Sequence, residues 1–265
     1  MNKITITTAN NEHTYETPAT FDEMTREQFI LTAKKILLAA AGTDDEAYYP
    51  AITGIEPKIW DKLHFFQKYS IERLFDYTAE TPVITKQLLP YIEIGGVQYI
   101  GYQPGFSNTT WQEFIFADQY VLNGKYPEAA ACLYRPQRSD YTGETDRRIP
   151  FTIYGVNTRL PHFKTIPETE LLSFVLNYKA LRKRNLEEAY PFVFPSQNPD
   201  KAQATNDDPK NNFQFLTFNS QFSWISLHRT LMGDQFYDEQ KFYAINVHII
   251  LNRLNTVIRD NRRKT

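Results

Sequence analysis

The stretch GFSNTTWQEFIFADQYVLNG, residues 105–124, predicts an amphipathic helix whose apolar face carries one acid. Thr110 is a suitable N-terminal cap, and helical spacing then predicts a core-facing stripe of Trp111, Phe114, Ile115, position 118 and position 122. Position 118 is an aspartate, so its carboxylate is expected to point toward the interior. A buried carboxylate needs a partner or takes up a proton. Asp118 is therefore a candidate for a structural ion pair, with a catalytic or ligand-binding role as the alternative.

The following segment, YPEAAACLYRP at residues 126–136, predicts a second helix that begins at Pro127 and ends before Pro136. Because the connection is short, we expect the two helices to pack antiparallel. Arg135 lies at the end of the second helix, and its planar guanidinium can bind a carboxylate through two hydrogen bonds. We therefore predict a structural ion pair between Asp118 and Arg135 that fixes one helix against the other.

The remaining segments predict an α+β fold that is mostly α-helical, with two small peripheral β-hairpins. Residues 3–17 alternate as one hairpin, and YIEIGGVQYIG forms a second one, at 91–100, around Gly95 and Gly96. Thr25 and Gln28 match a capping box at the start of a further helix. IPFTIYGV, residues 149–156, is typical of a short strand or an extended connector. Other helices are predicted in four further segments: 57–78, 167–185 and two after residue 213.

Three segments are expected along the chain. Residues 1–195 form the main α+β domain with the N-terminal hairpin. Residues 196–212 are polar, contain prolines and lack periodicity, which is typical of a flexible loop. Residues 213–265 predict a C-terminal helical hairpin, divided near Gly233, that docks on the main domain.

The composition limits the function classes. The 265 residues carry 29 basic and 31 acidic side chains, and this balance argues against broad nucleic-acid binding. The N-terminus lacks the apolar core of a signal peptide, and no run approaches the roughly 20 apolar residues of a membrane helix. Cys132 is the single cysteine, so a reducing compartment is expected. The 17 Tyr, 19 Phe and 3 Trp indicate either a large aromatic core or an aromatic-rich interface.

A search for active-site motifs gives no catalytic, cofactor-binding or metal-binding residue. The five histidines lack zinc-helix spacing, and the glycines match neither a P-loop nor a dinucleotide fingerprint. Cys132 follows three alanines in a predicted helix, which indicates a buried and inert thiol. His248 lies between Val247 and Ile249 and is interpreted as structural. We therefore expect no cofactor and no enzymatic activity.

Two basic clusters are candidate nucleic-acid contacts. The first is KALRKR, with Lys179, Arg182, Lys183 and Arg184, and the second is the C-terminal RDNRRK, with Arg262 and Arg263. Lysine and arginine at such positions can contact phosphates. The alternative is that both are solvated helix ends, where cations complement the helix dipole.

Three segments together resemble poorly characterised proteins from the assembly and structural gene blocks of tailed bacteriophages and prophages. They are WQEFIFADQYVLNGKYPEAAACLYRP, IPETELLSFVLNYKAL and FSWISLHRTLMGDQFYDEQKFYAINVHIILNRLN, within residues 90–260. The resemblance implies a tail-assembly chaperone-like protein or a head–tail structural component, present in the host cytoplasm during assembly or in the virion. It implies other phage structural or assembly proteins, or further copies of the chain, as partners. It supplies no catalytic residues.

Three hypotheses follow from the sequence. The first is a non-enzymatic phage assembly or virion protein that acts through protein contacts. The second is a nucleic-acid-associated protein that uses the two basic clusters. The third is an enzyme whose site is assembled from distant residues and would require a polar pocket with perturbed carboxylates.

Overall fold

The computed structural model describes residues 1–7, 11–43, 45–143, 146–194, 224–232 and 238–263. Within them the fold is α+β and mostly helical, with two small antiparallel sheets, as predicted. The expected loop at 196–212 lies outside the described residues. The described chain divides into two compact units, Met1–Leu89 with Pro167–Ala180, and Pro90–Ile166 with Leu181–Thr265. This division differs from the one expected from the sequence, since the first unit takes a segment from the middle of the chain.

The first unit begins with a hairpin of β1 (Asn2–Thr7) and β2 (Glu12–Thr17), in which Ile4 pairs with Tyr15. Its helices are α1 (Arg26–Ala40), α2 (Tyr48–Thr53), α3 (Pro57–Trp60) and α4 (Phe65–Glu72). Short 3₁₀ helices lie at Phe21–Glu23 and Arg73–Ala79. The capping box at the start of α1 is confirmed, because Thr25 accepts from the Gln28 amide while the Gln28 side chain accepts from the Thr25 amide.

Aromatic rings fill the core of the first unit. Phe21 meets Phe29 edge-on at 6.2 Å between ring centroids, and Tyr48 meets Phe75 at 6.2 Å. All four rings are buried. The aromatic-core interpretation of the composition therefore holds for this unit.

The second unit opens with β3 (Tyr91–Ile94) and β4 (Val97–Ile100), joined by a tight turn. Gly95 and Gly96 have φ values of 59° and 78°, which the predicted hairpin turn requires. A third strand that the sequence did not predict, β5 (Arg135–Pro136), pairs with β4.

The helices α5 (Trp111–Leu122) and α6 (Tyr126–Leu133) lie between β4 and β5 and pack against each other. Thr110 caps α5 by accepting from the Glu113 amide. Trp111, Phe114, Ile115 and Asp118 face the interior as predicted. Position 122 does not, because Leu122 lies in the last turn of α5 and is 49% exposed.

The remaining helices include one that the sequence did not predict, and the last helix predicted from the sequence is divided into two. They are α7 (Ile153–Phe163), α8 (Glu168–Arg182), which continues as a π-helical turn at Lys183–Glu187, and then α9 (Trp224–Met232), α10 (Glu239–Tyr243) and α11 (Val247–Arg262). The strand or connector expected at 149–156 instead leads into α7. Thr152 is extended, and its hydroxyl accepts from the Gly155 amide, so it caps a helix.

Candidate functional site

Asp118 is buried, 1% exposed, and is held by an arginine. Arg182 donates from Nε to Oδ1 at 2.6 Å and from Nη2 to Oδ2 at 3.2 Å. The indole of Trp224 donates to Oδ2 at 2.6 Å. Arg182 also pairs with Glu187, five residues on, across the π-helical turn. These four residues form the Asp118 cluster, in which the hydrogen bonds of Arg182 and Trp224 to one carboxylate hold α5, the end of α8 and α9 together.

The predicted ion pair between Asp118 and Arg135 is wrong. Arg135 is buried, but its Nη2 pairs with Glu113 Oε2 at 3.2 Å and with Asp146 Oδ2 at 3.1 Å. The reason is geometric. The chain that leaves α6 returns beyond Asp118 to the first turn of α5, and five helical residues separate Glu113 from Asp118 by about 7.5 Å along the axis.

Glu113 is the centre of a second group of buried charges, the arginine cluster, made of Glu113, Arg135, Asp146, Arg148 and Arg159. Arg148 donates from Nη1 to Glu113 Oε1 at 2.7 Å and to the Leu133 carbonyl at 2.8 Å. Its Nε donates to Asp146 Oδ1 at 2.9 Å. Glu113 and Arg148 are each 0% exposed at their side chains, so this pair is removed from water.

The arginine cluster shifts the pKa values of its three arginines and of Asp146. Burial lowers the pKa of Arg135, although the Glu113 carboxylate opposes this. Burial likewise lowers the pKa of Arg159, and the positive charge of Arg135 acts in the same direction. Burial raises the pKa of Asp146, but hydrogen bonds and the charge of Arg148 outweigh it, so the Asp146 pKa lies below its ordinary value. Asp146 is thus held as a structural anion rather than placed to exchange protons.

A cleft of about 500 Å³ lies beside the arginine cluster. Arg135 and Asp146 reach it from the cluster, and the N-terminal caps of α5 and α7, Thr110 and Thr152, lie on its wall. The remaining wall comes from Gln112, Pro150, Phe151, Ile153, Gln240, Tyr243 and Ala244. Both carboxylates of the cluster are already bound by arginines.

The two basic clusters are only partly at the surface. Lys179, Lys183 and Arg184 are exposed, but Arg182 is 8% exposed and bound to Asp118. Arg182 is therefore removed from the candidate phosphate contacts, because its donors are used inside the protein. Arg262 and Arg263 are exposed at the end of α11, and the guanidinium of Arg262 lies 5.8 Å from the Phe192 ring centroid.

An exposed group of rings on α4 was not identified from the sequence. Phe65 is 73% exposed, Phe66 78% and Tyr69 48%. The centroids of Phe65 and Phe66 are 5.7 Å apart, and Phe65 stacks on Tyr69 at 6.2 Å. We call these three residues the α4 aromatic cluster. The adjacent phenylalanines are the signal that was available, since neighbours on a helix cannot both face one core.

Cys132 and His248 agree with their predicted structural roles. The Cys132 side chain is 0% exposed, and burial raises the pKa of its thiol. His248 Nδ1 is 2.8 Å from the Tyr190 hydroxyl, and the other ring nitrogen contacts the Gly105 carbonyl. Among the residues that the structure describes, no group of three or more His, Cys, Asp or Glu is arranged to hold a metal ion.

None of the described helices combines the length and the apolar character needed to cross a membrane. Comparisons of the chain with protein-family models, with curated proteins and with solved structures found no match.

Proposed function

We propose that the protein is a non-enzymatic assembly or structural protein of a tailed phage or prophage that acts by binding other proteins. Its place is the tail-assembly or head–tail region, and it works in the host cytoplasm during assembly or in the virion. Its partners are other phage structural or assembly proteins or further copies of the chain. The α4 aromatic cluster carries the protein-binding part of this proposal, and the resemblance of the three segments supports the phage part.

The α4 aromatic cluster has the chemistry of a protein-binding surface. Adjacent exposed rings are costly in water, and a contiguous apolar patch on a protein surface marks an interaction site more often than isolated apolar residues do. Aromatic residues are enriched at protein interfaces and among the residues that dominate binding energy. Phe65, Phe66 and Tyr69 already contact one another, so a partner would order fewer side chains on binding.

Cationic side chains next to the cluster fit the same role. The guanidinium of Arg73 lies 5.9 Å from the Tyr69 ring centroid, and Lys68 Nζ lies 5.7 Å from the centroid of Trp60. Arginine beside tyrosine is a frequent combination at the centre of protein interfaces. Arg73 is already paired with Asp76, so we expect the partner to be a protein with an apolar surface.

The buried carboxylates favour a binding role over an enzymatic one. Catalytic acids and bases need a pKa near the working pH and access to a substrate. Asp118 and Glu113 are instead buried and bound by arginines.

The test uses position 66 in cells that assemble the particles encoded with this protein. A photo-crosslinking residue at position 66 is expected to capture a phage structural or assembly protein, or a second copy of the chain. The matched control carries the photo-crosslinking residue at position 83, where Val83 is 74% exposed in the same unit. This control is expected to capture neither a phage protein nor a second copy of the chain. The double variant Phe65→Ser/Phe66→Ser is expected to give incomplete particles in electron micrographs, whereas Val83→Ser gives normal ones.

Two results would contradict the proposal. Normal particles from the double variant, together with equal capture at positions 66 and 83, would exclude α4 as the binding surface. Capture only of proteins unrelated to particle assembly would exclude the phage role while leaving a protein-binding role.

A further inference from the structure

We infer that the cleft at the starts of α5 and α7 binds a small organic anion, with its carboxylate or phosphate group toward Arg135. This site is separate from the α4 aromatic cluster, and the inference does not depend on the phage role. Four features of the cleft support it.

The first feature is an unused donor on Arg135. This side chain is 2% exposed and lines the cleft. Both of its ion pairs use Nη2, while its Nε is buried and has no hydrogen-bond partner among the described residues. A buried guanidinium N–H without an acceptor costs on the order of 1–3 kcal/mol. An oxyanion in the cleft would lie against the part of the Arg135 side chain that lines the cleft and would compensate its charge.

The second feature is an excess of positive charge. The arginine cluster contains three guanidinium groups and two carboxylates, which leaves one formal positive charge. Arg159 is 6% exposed, donates to the Ala131 carbonyl at 2.9 Å and forms no ion pair within the described chain. Its Nε also lacks a hydrogen-bond partner there. Buried charges are normally paired, so the cluster is one anion short.

Gly155 places the charge of Arg159 near the cleft. A Cβ atom on Gly155 would lie 2.9 Å from Arg159 Nη1 and 2.9 Å from the Thr152 hydroxyl. These two distances put the guanidinium within about 6 Å of Thr152, which lines the cleft. Glycine at this position therefore leaves room for the guanidinium at the first turn of α7.

The third feature is the orientation of two helices. Thr110 and Gln112 of the α5 start and Thr152 and Ile153 of the α7 start all lie on the cleft wall. The amides of Trp111, Glu113 and Gly155 already have acceptors, so the two helix starts contribute the positive potential of the helix dipole rather than free donors. Two N-termini beside two arginines form a field that selects for anions.

The fourth feature defines the rest of the ligand. Pro150, Phe151 and Ala244 give the cleft an apolar wall, and its volume of about 500 Å³ falls in the range of small-molecule sites. The Arg135 guanidinium lies 5.9 Å from the Phe151 ring centroid, so polar and apolar surfaces meet within the site. An anion with an aromatic or aliphatic body fits this wall better than an inorganic ion.

Asp146 also lines the cleft and is included in the charge count above. Its two oxygens already accept from Arg148 and Arg135, at distances between 2.9 and 3.2 Å. Asp146 therefore provides no acceptor for the Arg135 Nε and does not neutralise the charge of Arg159.

The first experiment titrates the purified full-length protein by calorimetry and by NMR chemical shifts. The probes are benzoate, phenyl phosphate, inorganic phosphate and neutral benzamide. Benzoate or phenyl phosphate is expected to bind at least about tenfold more tightly than benzamide, and inorganic phosphate to bind more weakly than phenyl phosphate. The comparison of benzoate with phenyl phosphate identifies the anionic group. No binding of either organic anion at about 10 mM, or equal binding of benzamide, would overturn the inference.

The second experiment places the binding in the cleft. Ala244 is exposed at the cleft edge, so a substitution there leaves the arginine cluster intact. Ala244→Glu adds a negative charge and is expected to weaken binding of the preferred probe by about tenfold or more, whereas the neutral Ala244→Gln changes it by less than about threefold. Equal affinity in both variants and the original protein would show that the probe binds outside the cleft, and would overturn the inference. Circular dichroism verifies that both variants are folded.

Discussion

At the residue scale, one helix carries two buried acids, and each is bound by an arginine from a distant part of the chain. Glu113 and Asp118 both lie on α5, while Arg148 follows β5 and Arg182 ends α8. Both arginines bind through two nitrogens, the strongest geometry of an arginine–carboxylate pair. The two pairs therefore hold distant segments of the second unit against α5.

Arg182→Ala is expected to destabilise the protein by about 3–5 kcal/mol, because it leaves Asp118 buried without its cation. Arg184→Ala, two residues away and exposed, is the matched control and is expected to change stability by less than about 0.5 kcal/mol. Urea unfolding followed by circular dichroism measures both. If Arg182→Ala lowers the free energy of unfolding no more than the control does, the Asp118–Arg182 pair does not stabilise the fold.

Asp146 makes part of the protein's free energy of unfolding sensitive to acid. Its pKa is lower in the folded state than in the unfolded chain, so it stabilises the fold fully above the unfolded value of about 3.9. That contribution is lost as the pH falls from there through the folded pKa. We expect the free energy of unfolding to fall less between pH 5 and pH 3 in Asp146→Asn than in the original protein.

The control for this pH dependence is Asp61→Asn, at an exposed position. It should reproduce the pH slope of the original protein. Parallel slopes for all three proteins would contradict the role given to Asp146.

Cys132 should be unreactive in the folded protein. Its thiol is 0% exposed and its pKa is raised by burial, so both access and thiolate formation are suppressed. Iodoacetamide at pH 8 is expected to modify Cys132 only after urea unfolding, as measured by intact mass. Complete modification of the folded protein within minutes would contradict the buried position.

At the element scale, α7 shows how one glycine sets the position of an arginine. An alanine at position 155 normally favours a helix by about 1 kcal/mol. Here its Cβ would lie 2.9 Å from the buried guanidinium of Arg159. The contact with Arg159 therefore opposes the intrinsic helix propensity at this position.

Gly155→Ala is expected to destabilise the protein by about 1–3 kcal/mol, the usual cost of overpacking. In an Arg159→Met background the same change should cost less, because the contact with the guanidinium is gone and only the 2.9 Å contact with the Thr152 hydroxyl remains. Urea unfolding of the two single variants and the double variant forms a double-mutant cycle. An equal effect of Gly155→Ala in both backgrounds would exclude the contact with Arg159 as the cause.

At the scale of the whole molecule, the first unit needs residues 167–180 to complete its core. Asn177 is 1% exposed, accepts from the Leu88 amide at 3.3 Å and donates to the Lys86 carbonyl at 3.3 Å. Arg26 pairs with Glu170, and Phe174 is fully buried. The segment thus supplies both apolar surface and hydrogen bonds to the preceding chain.

A fragment of residues 1–89 is therefore expected to lack cooperative unfolding. The same fragment joined to residues 167–180 by a glycine–serine linker should regain it, because the missing surface is restored. Urea unfolding by circular dichroism distinguishes them. A cooperative transition in the shorter fragment would show that 167–180 is dispensable for that unit.

The sequence by itself determined the elements that short-range contacts specify. Thr25 and Gln28 cap α1, Thr110 caps α5, and Gly95 with Gly96 turns the second hairpin, as their local patterns predicted. The inward direction of Asp118 also followed from helical spacing. Each of these features depends on residues only a few positions apart, so a single sequence is sufficient to predict it.

Only the tertiary structure decided which groups meet across long stretches of chain. Arg182 rather than Arg135 binds Asp118, and Glu113, which lies outside the predicted apolar stripe, is the centre of the arginine cluster. The pairing of β5 with β4 and the exposure of the α4 aromatic cluster were likewise decided there. The physical reason is that any arginine satisfies any carboxylate equally well by chemistry, so the partner is chosen by how the backbone brings side chains together.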